Sequence, residues 1–253
     1  MNTSIALQLY SLRNESFDNI RSLFEWVKVT GFQGVELAGY YDQSPVTIRR
    51  LLEDQGLEII GNHISIPTPA ECEAVTDAQE EGGVRRVMIS HPPEAFPTLQ
   101  DVQRAADRLN ELAQIFKARK LQLYVHNHWW EFRQKHEGMS VFEHLCALTT
   151  DDVFFELDMY WAMTGGVDPA SVANTVGERV KLLHVKDGPC LEDLPMTALG
   201  TGTMDLPRVL RSFPWVTWQI IELDSCAADM KAAIQESFIY LKNIASTAQG
   251  RKV

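Results

Sequence analysis

The segment Val125–Phe132, Val-His-Asn-His-Trp-Trp-Glu-Phe, brings two imidazoles, an amide, two indoles and a carboxylate together within eight residues. It follows an alternating apolar run that is typical of a β-strand. Because successive strand side chains point to opposite faces, we expect His126 and His128 to project to the same side. Such groups suit a polar pocket with aromatic walls better than an apolar core. A His-x-His pair alone has little specificity, and its histidines could simply hydrogen-bond to backbone or solvent.

Strand-like and helix-like patterns alternate along the whole chain, with short breaks between them. The predicted strands cover residues 5–10, 34–38, 57–66, 84–90, 121–124 continuing into the segment above, 153–158, 180–186 and 216–223. The predicted helices cover residues 17–30, 46–55, about 67–82, 98–117, 140–148, 169–176, 207–212 and 227–244. Eight strand–helix units predict an α/β fold, a closed parallel (β/α)8 TIM barrel in which residues 1–253 form one domain. A doubly wound open sheet is the alternative, but the chain lacks a glycine-rich dinucleotide fingerprint after its first strand.

Polar residues stand at the carboxyl ends of most of these strands, which is where TIM barrels carry their catalytic groups. They are Glu36, His63, His91, His126, His128, Asp158, His184, Lys186, Glu222 and Asp224. The period-two pattern places Asp158 on one face with Glu156, and gives His184 and Glu222 equivalent positions on their own strands. If these faces look into the barrel, Asp158, His184 and Glu222 converge with His126. Mixed nitrogen and oxygen donors of this kind suit a divalent ion such as Mn²⁺, Mg²⁺, Co²⁺ or Zn²⁺.

Several of these residues have an alternative structural interpretation. Asp158 and Glu222 end apolar runs and could be neutralised by Lys186 or Lys181 instead of a metal, since buried charges are rarely unpaired. His184 could be a hydrogen-bonded core histidine. Glu36 could cap a helix or pair with a cation. A further set of histidines, namely His91, His136 and His144, is expected to serve loops or surfaces.

The composition excludes several classes of protein. The formal net charge of −11 disfavours binding to nucleic acid or to an anionic membrane. No apolar run approaches the length of about 18 residues that a membrane span needs. Four widely spaced cysteines without a Cys-x-x-Cys pair fit a reducing compartment. The residues Met1–Ser4 lead directly into a strand, so we expect no secretory signal and a cytoplasmic location.

Seven short motifs, spread over nearly the whole chain, carry a family resemblance. They are Leu7–Arg13, Gly34–Glu36, His126–Phe132, Phe155–Ala162, His184–Asp187, Leu199–Gly202 and Ile221–Asp224. Together they resemble the sugar phosphate isomerase/epimerase proteins of the xylose isomerase-like TIM-barrel superfamily. The combination is specific for the superfamily but does not select a reaction within it.

The resemblance implies a divalent metal held by Glu, Asp, His and Glu from the last four strands. Asp158, His184 and Glu222 match the last three of these ligands. His126 stands where many members have the first glutamate, and this chain has a downstream glutamate, Glu131, instead. The ketose 3-epimerase members use the two glutamates as opposed bases, and the histidine at position 126 removes the first of these two bases.

The expected activity is that of a metal-dependent isomerase or epimerase acting on a sugar or sugar phosphate. A metal ion would polarise the substrate carbonyl, and a base would abstract the neighbouring carbon-bound proton to give a metal-stabilised enediolate. Glu222 and Glu131 are the candidate bases, with His126 or His128 as the partner acid. Lys186 could stabilise an oxyanion or bind a substrate phosphate.

The remaining expectations concern substrate binding. Glu36 and His63 would hold sugar hydroxyl groups. Trp129, Trp130 and Trp161 could form a wall on which a sugar stacks, although ordinary packing at the barrel rim is the alternative. We expect Trp129 and Trp161 in particular to bind the substrate. The expected partner is a small-molecule carbohydrate, and the resemblance also implies that a homodimer is possible.

Three other functions stay open. The same enolate could expel a β-hydroxyl or a glycosyl group, which would make the protein a dehydratase or lyase for a keto sugar or keto-inositol. An imidazole at position 126 favours this alternative, because an imidazolium can protonate a leaving oxygen. A DNA-repair endonuclease of the superfamily would need a basic groove and more metal ligands. A non-catalytic sugar-binding barrel would need no metal at all.

Overall fold

Eight parallel strands pair in sequence order, and the last strand pairs with the first, so that Ser4 lies opposite Trp218. The computed structural model describes residues 3–249, with backbone only for residues 245–249. The barrel strands are β1 (Ser4–Gln8), β2 (Gly34–Leu37), β3 (Glu58–His63), β4 (Arg86–Ile89), β5 (Gln122–His126), β6 (Val153–Asp158), β7 (Val180–Val185) and β8 (Trp218–Ile221). The predicted single-domain TIM barrel is confirmed, and the open sheet is excluded by the pairing of β8 with β1.

Helices follow the strands and cover the outside of the barrel. They are α1 (Ile20–Thr30), α2 (Pro45–Gln55), α3 (Cys72–Glu81), α4 (Leu99–Ala118), α5 (Trp130–Arg133), α6 (Val141–Leu148), α7 (Met159–Thr164), α8 (Pro169–Val176), α9 (Leu206–Arg211) and α10 (Met230–Gln249). Capping boxes at Asn19, Thr98 and Ser140 start three of them. Gly31 and Gly56 end α1 and α2 in the left-handed region, with φ of 115° and 61°. None of the described helices combines the length and the apolar character that crossing a bilayer requires.

Two helices and a hairpin were not predicted. The helices α5 and α7 have four and six residues, too few to show a helical period in the sequence. A small hairpin of Lys135–His136 and Met139–Ser140 lies between α5 and α6. The first strand also ends two residues earlier than predicted, because Leu9–Leu12 form a 3₁₀ helix. The prediction of no secretory signal concerns Met1–Ser4, and of these residues Met1 and Asn2 lie outside the described part of the chain.

The inside of the barrel changes from apolar to polar along the strands. Its apolar layer consists of Ala6, Ile60, Met88, Tyr124, Leu182, Trp218 and Ile220, with Phe154 packed against it. Two residues further along five of these strands, the same face carries Gln8, His126, Glu156, His184 and Glu222. Because side chains on one face of a strand repeat every two residues, a layer of polar side chains lies directly above the apolar layer. We call this polar layer, together with the polar residues beside it at the strand ends, the floor of the cavity.

The loop between β7 and α9 is organised by one buried carboxylate. Oδ1 of Asp187 accepts hydrogen bonds from the backbone N–H groups of Gly188 at 2.8 Å and Met204 at 3.1 Å. Its Oδ2 accepts from Gly200 at 2.8 Å and Gly202 at 3.1 Å. Asp187 directly follows Lys186, so this loop fixes the chain at the end of β7.

We expect Asp187→Asn to lower the free energy of unfolding by about 3 kcal/mol, because an amide cannot accept four N–H donors as a carboxylate does. Urea unfolding would measure the loss. The control is Asp193→Asn, which changes an exposed carboxylate of the same loop. A loss for Asp187→Asn no larger than about 0.5 kcal/mol, the usual range of exposed substitutions, would contradict this account.

Candidate active site and metal centre

A cavity of about 1080 Å³ opens at the carboxyl ends of the strands. The titratable groups His63, His126, His128, Glu222 and Asp224 are among the residues that line it. Apolar side chains also line it, namely Ile64, Ile66, Pro92, Pro93 and Trp130. A pocket lined by apolar side chains and a few titratable groups is the usual form of a binding site for a small organic molecule.

Glu156 lies at the centre of three imidazoles on the cavity floor. Its Oε2 is 2.9 Å from Nε2 of His63, 3.3 Å from Nδ1 of His126 and 3.3 Å from Nε2 of His184. We call these four residues the Glu156 group. Glu36 adjoins the group, because its Oε2 lies 2.6 Å from Nε2 of His184 and 3.2 Å from Nε2 of His63.

The predicted metal ligands His126, Asp158, His184 and Glu222 also come together. One donor atom from each lies within 4.8 Å of the others. We call these four residues the Asp158 group. His126 and His184 belong to both groups, since the two nitrogens of His184 face opposite ways. Its Nε2 faces Glu36 and Glu156, and its Nδ1 lies 2.8 Å from Oε2 of Glu222.

Lys186 forms ion pairs with Asp158 and Glu222, which is the alternative to metal binding that the sequence allowed for these two residues. Its Nζ lies 2.9 Å from Oδ2 of Asp158, 2.7 Å from Oε2 of Glu222 and 2.6 Å from Oδ2 of Asp224. The lysine side chain is only 1% exposed. Three carboxylates surround its ammonium, so Lys186 is poorly placed to bind a substrate phosphate, as the sequence suggested it could. It can instead influence a substrate indirectly, by keeping Glu222 ionised.

These contacts shift the pKa values of the groups in opposite directions. Burial alone would raise the pKa of Glu222, but Lys186 and His184 lower it well below its ordinary value. Burial raises the pKa of Asp158 to about 6, against the opposing effect of Lys186. Burial lowers the pKa of His128 to about 3, which favours a neutral imidazole and makes a charged acid at this position unfavourable.

The donor set fits a divalent metal ion. Five carboxylates lie at or beside the floor, namely Glu36, Glu156, Asp158, Glu222 and Asp224. Among the described residues, Lys186 is the one lysine or arginine that forms an ion pair with any of them. Four buried atoms of the floor have no hydrogen-bond partner in the described part of the chain, namely Glu36 Oε1, Glu156 Oε1, His126 Nδ1 and Asp158 Oδ2, although Asp158 Oδ2 lies 2.9 Å from Nζ of Lys186. Buried polar atoms without partners at a site rich in imidazole and carboxylate are what a bound cation would satisfy.

Protons are the alternative source of positive charge. Although burial opposes it, Glu36 and Glu156 raise the pKa of His63 to about 10 and that of His184 well above its ordinary value. A metal ion and these protons compete for the same imidazole nitrogens. Metal binding at this floor should therefore release protons.

Glu131 lies behind the cavity wall instead of on its surface. It is 2% exposed, and its Oε2 accepts a hydrogen bond of 2.9 Å from the backbone N–H of His128. Burial raises the pKa of its carboxyl to about 8. Both candidate metal groups in the described residues contain His126, and neither contains Glu131. The contact with His128 makes Glu131 a positioning residue, while its assignment as a base stays a prediction.

The tryptophans are arranged differently from the prediction. Trp130 lines the cavity and stacks on His128, with ring centroids 4.2 Å apart and planes 10° apart. Trp129 and Trp161 are not among the described residues that line the cavity. Trp129 lies against the guanidinium of Arg133, and Trp161 lies 5.5 Å from Nζ of Lys186. Trp130 is therefore the better candidate for contact with a sugar ring.

Further residues of the site were missed or misread in the sequence. Gln8 donates a hydrogen bond of 2.7 Å to Oε2 of Glu36. Asn127 accepts a hydrogen bond from the backbone N–H of Asp158 at 3.0 Å and donates one to its carbonyl at 3.2 Å, which ties the end of β5 to the end of β6.

Three further histidines were expected to serve loops or surfaces. His91 is instead buried and lines the cavity. The ring of His136 contacts the backbone carbonyl of Phe96, and that of His144, which is buried in α6, contacts the carbonyl of His136.

A family model described as a xylose isomerase-like TIM barrel matches residues 24–244. The chain belongs to this family. No curated protein matches the chain.

Solved structures share the fold at low sequence identity. A sugar phosphate isomerase/epimerase from Parabacteroides distasonis ATCC 8503 superposes with a TM-score of 0.81 at 23% identity, covering 96% of this chain and 94% of that one. The IOLI protein with a bound zinc atom gives 0.78 at 15%, covering 96% and 98%. The probable 3-DHS dehydratase AsbF of Bacillus anthracis gives 0.77 at 14%, covering 96% and 99%. At these identities the likeness extends to the fold.

We expect Glu131→Gln to stabilise the protein more at pH 8 than at pH 5. A carboxyl whose pKa is raised by folding contributes fully below its unfolded pKa of 4.5 and loses that contribution as the pH rises toward 8. Glutamine does not titrate, so its advantage over glutamate should grow by about 3 kcal/mol across this interval. Urea unfolding of both proteins at the two pH values measures the difference.

The control for this experiment is Glu137→Gln, which changes an exposed carboxylate of the neighbouring hairpin and should leave the pH dependence unaltered. Parallel pH profiles for Glu131→Gln and the parent would show that the Glu131 carboxyl is not held in its neutral form.

Proposed function

We propose that the protein is a divalent-metal-dependent isomerase or epimerase that moves a proton on a carbon next to a carbonyl of a carbohydrate. The observation that carries the proposal is the convergence of imidazoles and carboxylates, with unpartnered donor atoms among them, on the floor of a cavity large enough for a sugar. The names of the structural neighbours agree with this reaction class, though their likeness extends only to the fold.

A divalent ion bound at this floor would polarise the substrate carbonyl and make the neighbouring carbon acid stronger. His126, His184 and a carboxylate of the floor would hold it, with Asp158 and Glu222 as the predicted further ligands. The donor set suits Mn²⁺, Co²⁺ or Zn²⁺ better than Mg²⁺, which prefers an all-oxygen site.

Glu222 is the base that the geometry supports. It lines the cavity, and Lys186 at 2.7 Å keeps it ionised. The ring of His63 lines the same cavity and can hold a substrate hydroxyl group. Trp130 and the prolines Pro92 and Pro93 also line the cavity, and the C–H face of a sugar can pack against them.

A lyase or dehydratase acting on a keto sugar or keto-inositol is the second candidate. Two observations favour it. The cavity volume of about 1080 Å³ leaves room for a substituent beyond one sugar ring. His128 also lines the cavity, where a neutral imidazole N–H can donate to a departing oxygen.

The other properties we propose follow from composition. A substrate that is a small carbohydrate and not a nucleic acid agrees with the net charge of −11. We propose a cytoplasmic location because the four cysteines are widely spaced and free, which suits a reducing compartment. A homodimer stays a prediction.

Incubation with Mn²⁺ and a panel of keto sugars in deuterated water tests the reaction class. We expect deuterium to enter one C–H position without loss of mass from the carbon skeleton. Release of water or of an aglycone would reject isomerisation in favour of the lyase. If the protein binds a sugar of the panel but neither exchanges its C–H protons nor converts it, a non-catalytic sugar binder would be favoured.

We expect Glu222→Gln to reduce the exchange rate by about 10²–10⁴-fold, which is the usual contribution of a general base. The matched control is Glu94→Gln, an exposed glutamate beside Pro93 at the cavity wall, which should exchange at the parent rate. Exchange by Glu222→Gln within about threefold of the parent, far less than a general base contributes, would remove Glu222 from the mechanism.

A further inference from the structure

We infer that the divalent ion is held by the Glu156 group, His63, His126, Glu156 and His184, and that Lys186 takes the place of a metal ion beside Asp158 and Glu222. The inference rests on the proposed function in that both require a metal ion. It departs from the ligand set that the sequence predicts, because Asp158 and Glu222 receive another role.

The first argument is the position of Lys186. Its buried ammonium already contacts one oxygen of Asp158 and one of Glu222, at 2.9 and 2.7 Å. Those are the carboxylates that would have to close the Asp158 group around an ion. A divalent cation placed among them would lie next to a fixed positive charge in a site screened from water, which is strongly unfavourable.

The second argument is that Glu156 and Glu36 form no ion pair with a lysine or arginine in the described part of the chain. Among the described residues, the ion pairs of Glu156 and Glu36 involve only histidines. Both glutamates are fully buried, and each keeps one oxygen without a hydrogen-bond partner in the described part of the chain. Histidine can give up its proton to a metal ion, whereas the three carboxylates around Lys186 favour its charged ammonium form.

The third argument is the spacing of the donor atoms. A tetrahedral ion with bonds of the usual length has ligand atoms about 3.4 Å apart. Oε2 of Glu156 lies 2.9, 3.3 and 3.3 Å from the facing nitrogens of His63, His126 and His184. All four donor atoms lie within 4.8 Å of one another, so side-chain movements can bring them to the required separation. Three imidazoles and one carboxylate also form a ligand set typical of Zn²⁺ or Co²⁺.

The hydrogen bonds of His184 agree with this arrangement. If Nε2 binds the ion, Nδ1–H is left to donate to Glu222 at 2.8 Å. A metal-binding histidine commonly donates its other N–H to a carboxylate, which fixes its orientation. Lys186 in turn holds that carboxylate. Glu222 thus remains on the cavity surface as a base, instead of being consumed as a ligand.

Titration of the metal-free protein with Co²⁺ tests the assignment through affinity and visible absorption, neither of which depends on activity. Glu156→Gln and His63→Asn change only the Glu156 group. Asp158→Asn and Glu222→Gln change only the Asp158 group, and the two Glu→Gln variants are chemically matched. Because the His63 side chain is 21% exposed, His63→Asn disturbs packing least and serves if Glu156→Gln fails to fold.

We expect Glu156→Gln and His63→Asn to weaken Co²⁺ binding by about 100-fold or more and to change its absorption spectrum, because each removes a ligand. Asp158→Asn and Glu222→Gln should keep the parent spectrum and lose only about 10- to 100-fold in affinity, the usual range for groups that orient a ligand without binding the ion. The reverse pattern, or equal losses in all four variants, would overturn the assignment and leave the metal requirement of the proposed function standing. A parent protein that binds no Co²⁺ would overturn both.

Discussion

Negative charge gathered away from water is the condition that shapes this protein. Glu36, Glu156, Asp158 and Glu222 are all buried at the carboxyl end of the barrel, with Asp224 beside them. Isolated ionised carboxylates at such depth would be prohibitively unfavourable. The fold answers with one permanent cation, Lys186, and with imidazoles that can carry either protons or a metal ion. The chemistry proposed for the site follows from which of these supplies the remaining positive charge.

The barrel makes this arrangement possible, because inward positions at the carboxyl ends of several strands meet at the floor. Apolar residues fill the layer beneath, so the floor is closed from below and the polar groups face only one another and the cavity. Residues outside the floor hold its members in place. Gln8 fixes one oxygen of Glu36, Asn127 fixes the backbone of Asp158, and Asp187 orders the loop that follows Lys186. A site built on strand ends in this way is rigid before any ligand arrives.

Much of this could be predicted from the sequence, because strand periodicity is a local property. The barrel and the convergence of Asp158, His184 and Glu222 both follow from the alternation of apolar and polar residues. The same alternation placed Glu156 on the face of Asp158, yet its ligand-like position was missed because it sits inside an apolar run. Parity tells which face a side chain occupies, but not how near its neighbours on other strands lie.

The remaining differences arise where the chain leaves regular structure. After His126 the strand ends and α5 begins, so strand parity no longer applies. As a result Trp130 lines the cavity while Trp129 does not, and Glu131 turns behind the wall. For Asp158 and Glu222, the sequence allowed either a metal ion or an ion pair with a lysine. Only the folded structure gives the distances to Lys186 that decide between them.

The most direct test of the central claim is the melting temperature of metal-stripped protein as the concentration of Zn²⁺ or Mn²⁺ is raised. An ion that binds the folded floor and not the unfolded chain must stabilise the protein by an amount that grows with the logarithm of its free concentration, about 2.7 kcal/mol at 100 times the Kd. The account predicts such a steady rise, accompanied by release of protons. A melting temperature that does not change over the whole titration would show that protonated histidines and Lys186 alone balance the buried carboxylates, and would contradict the account.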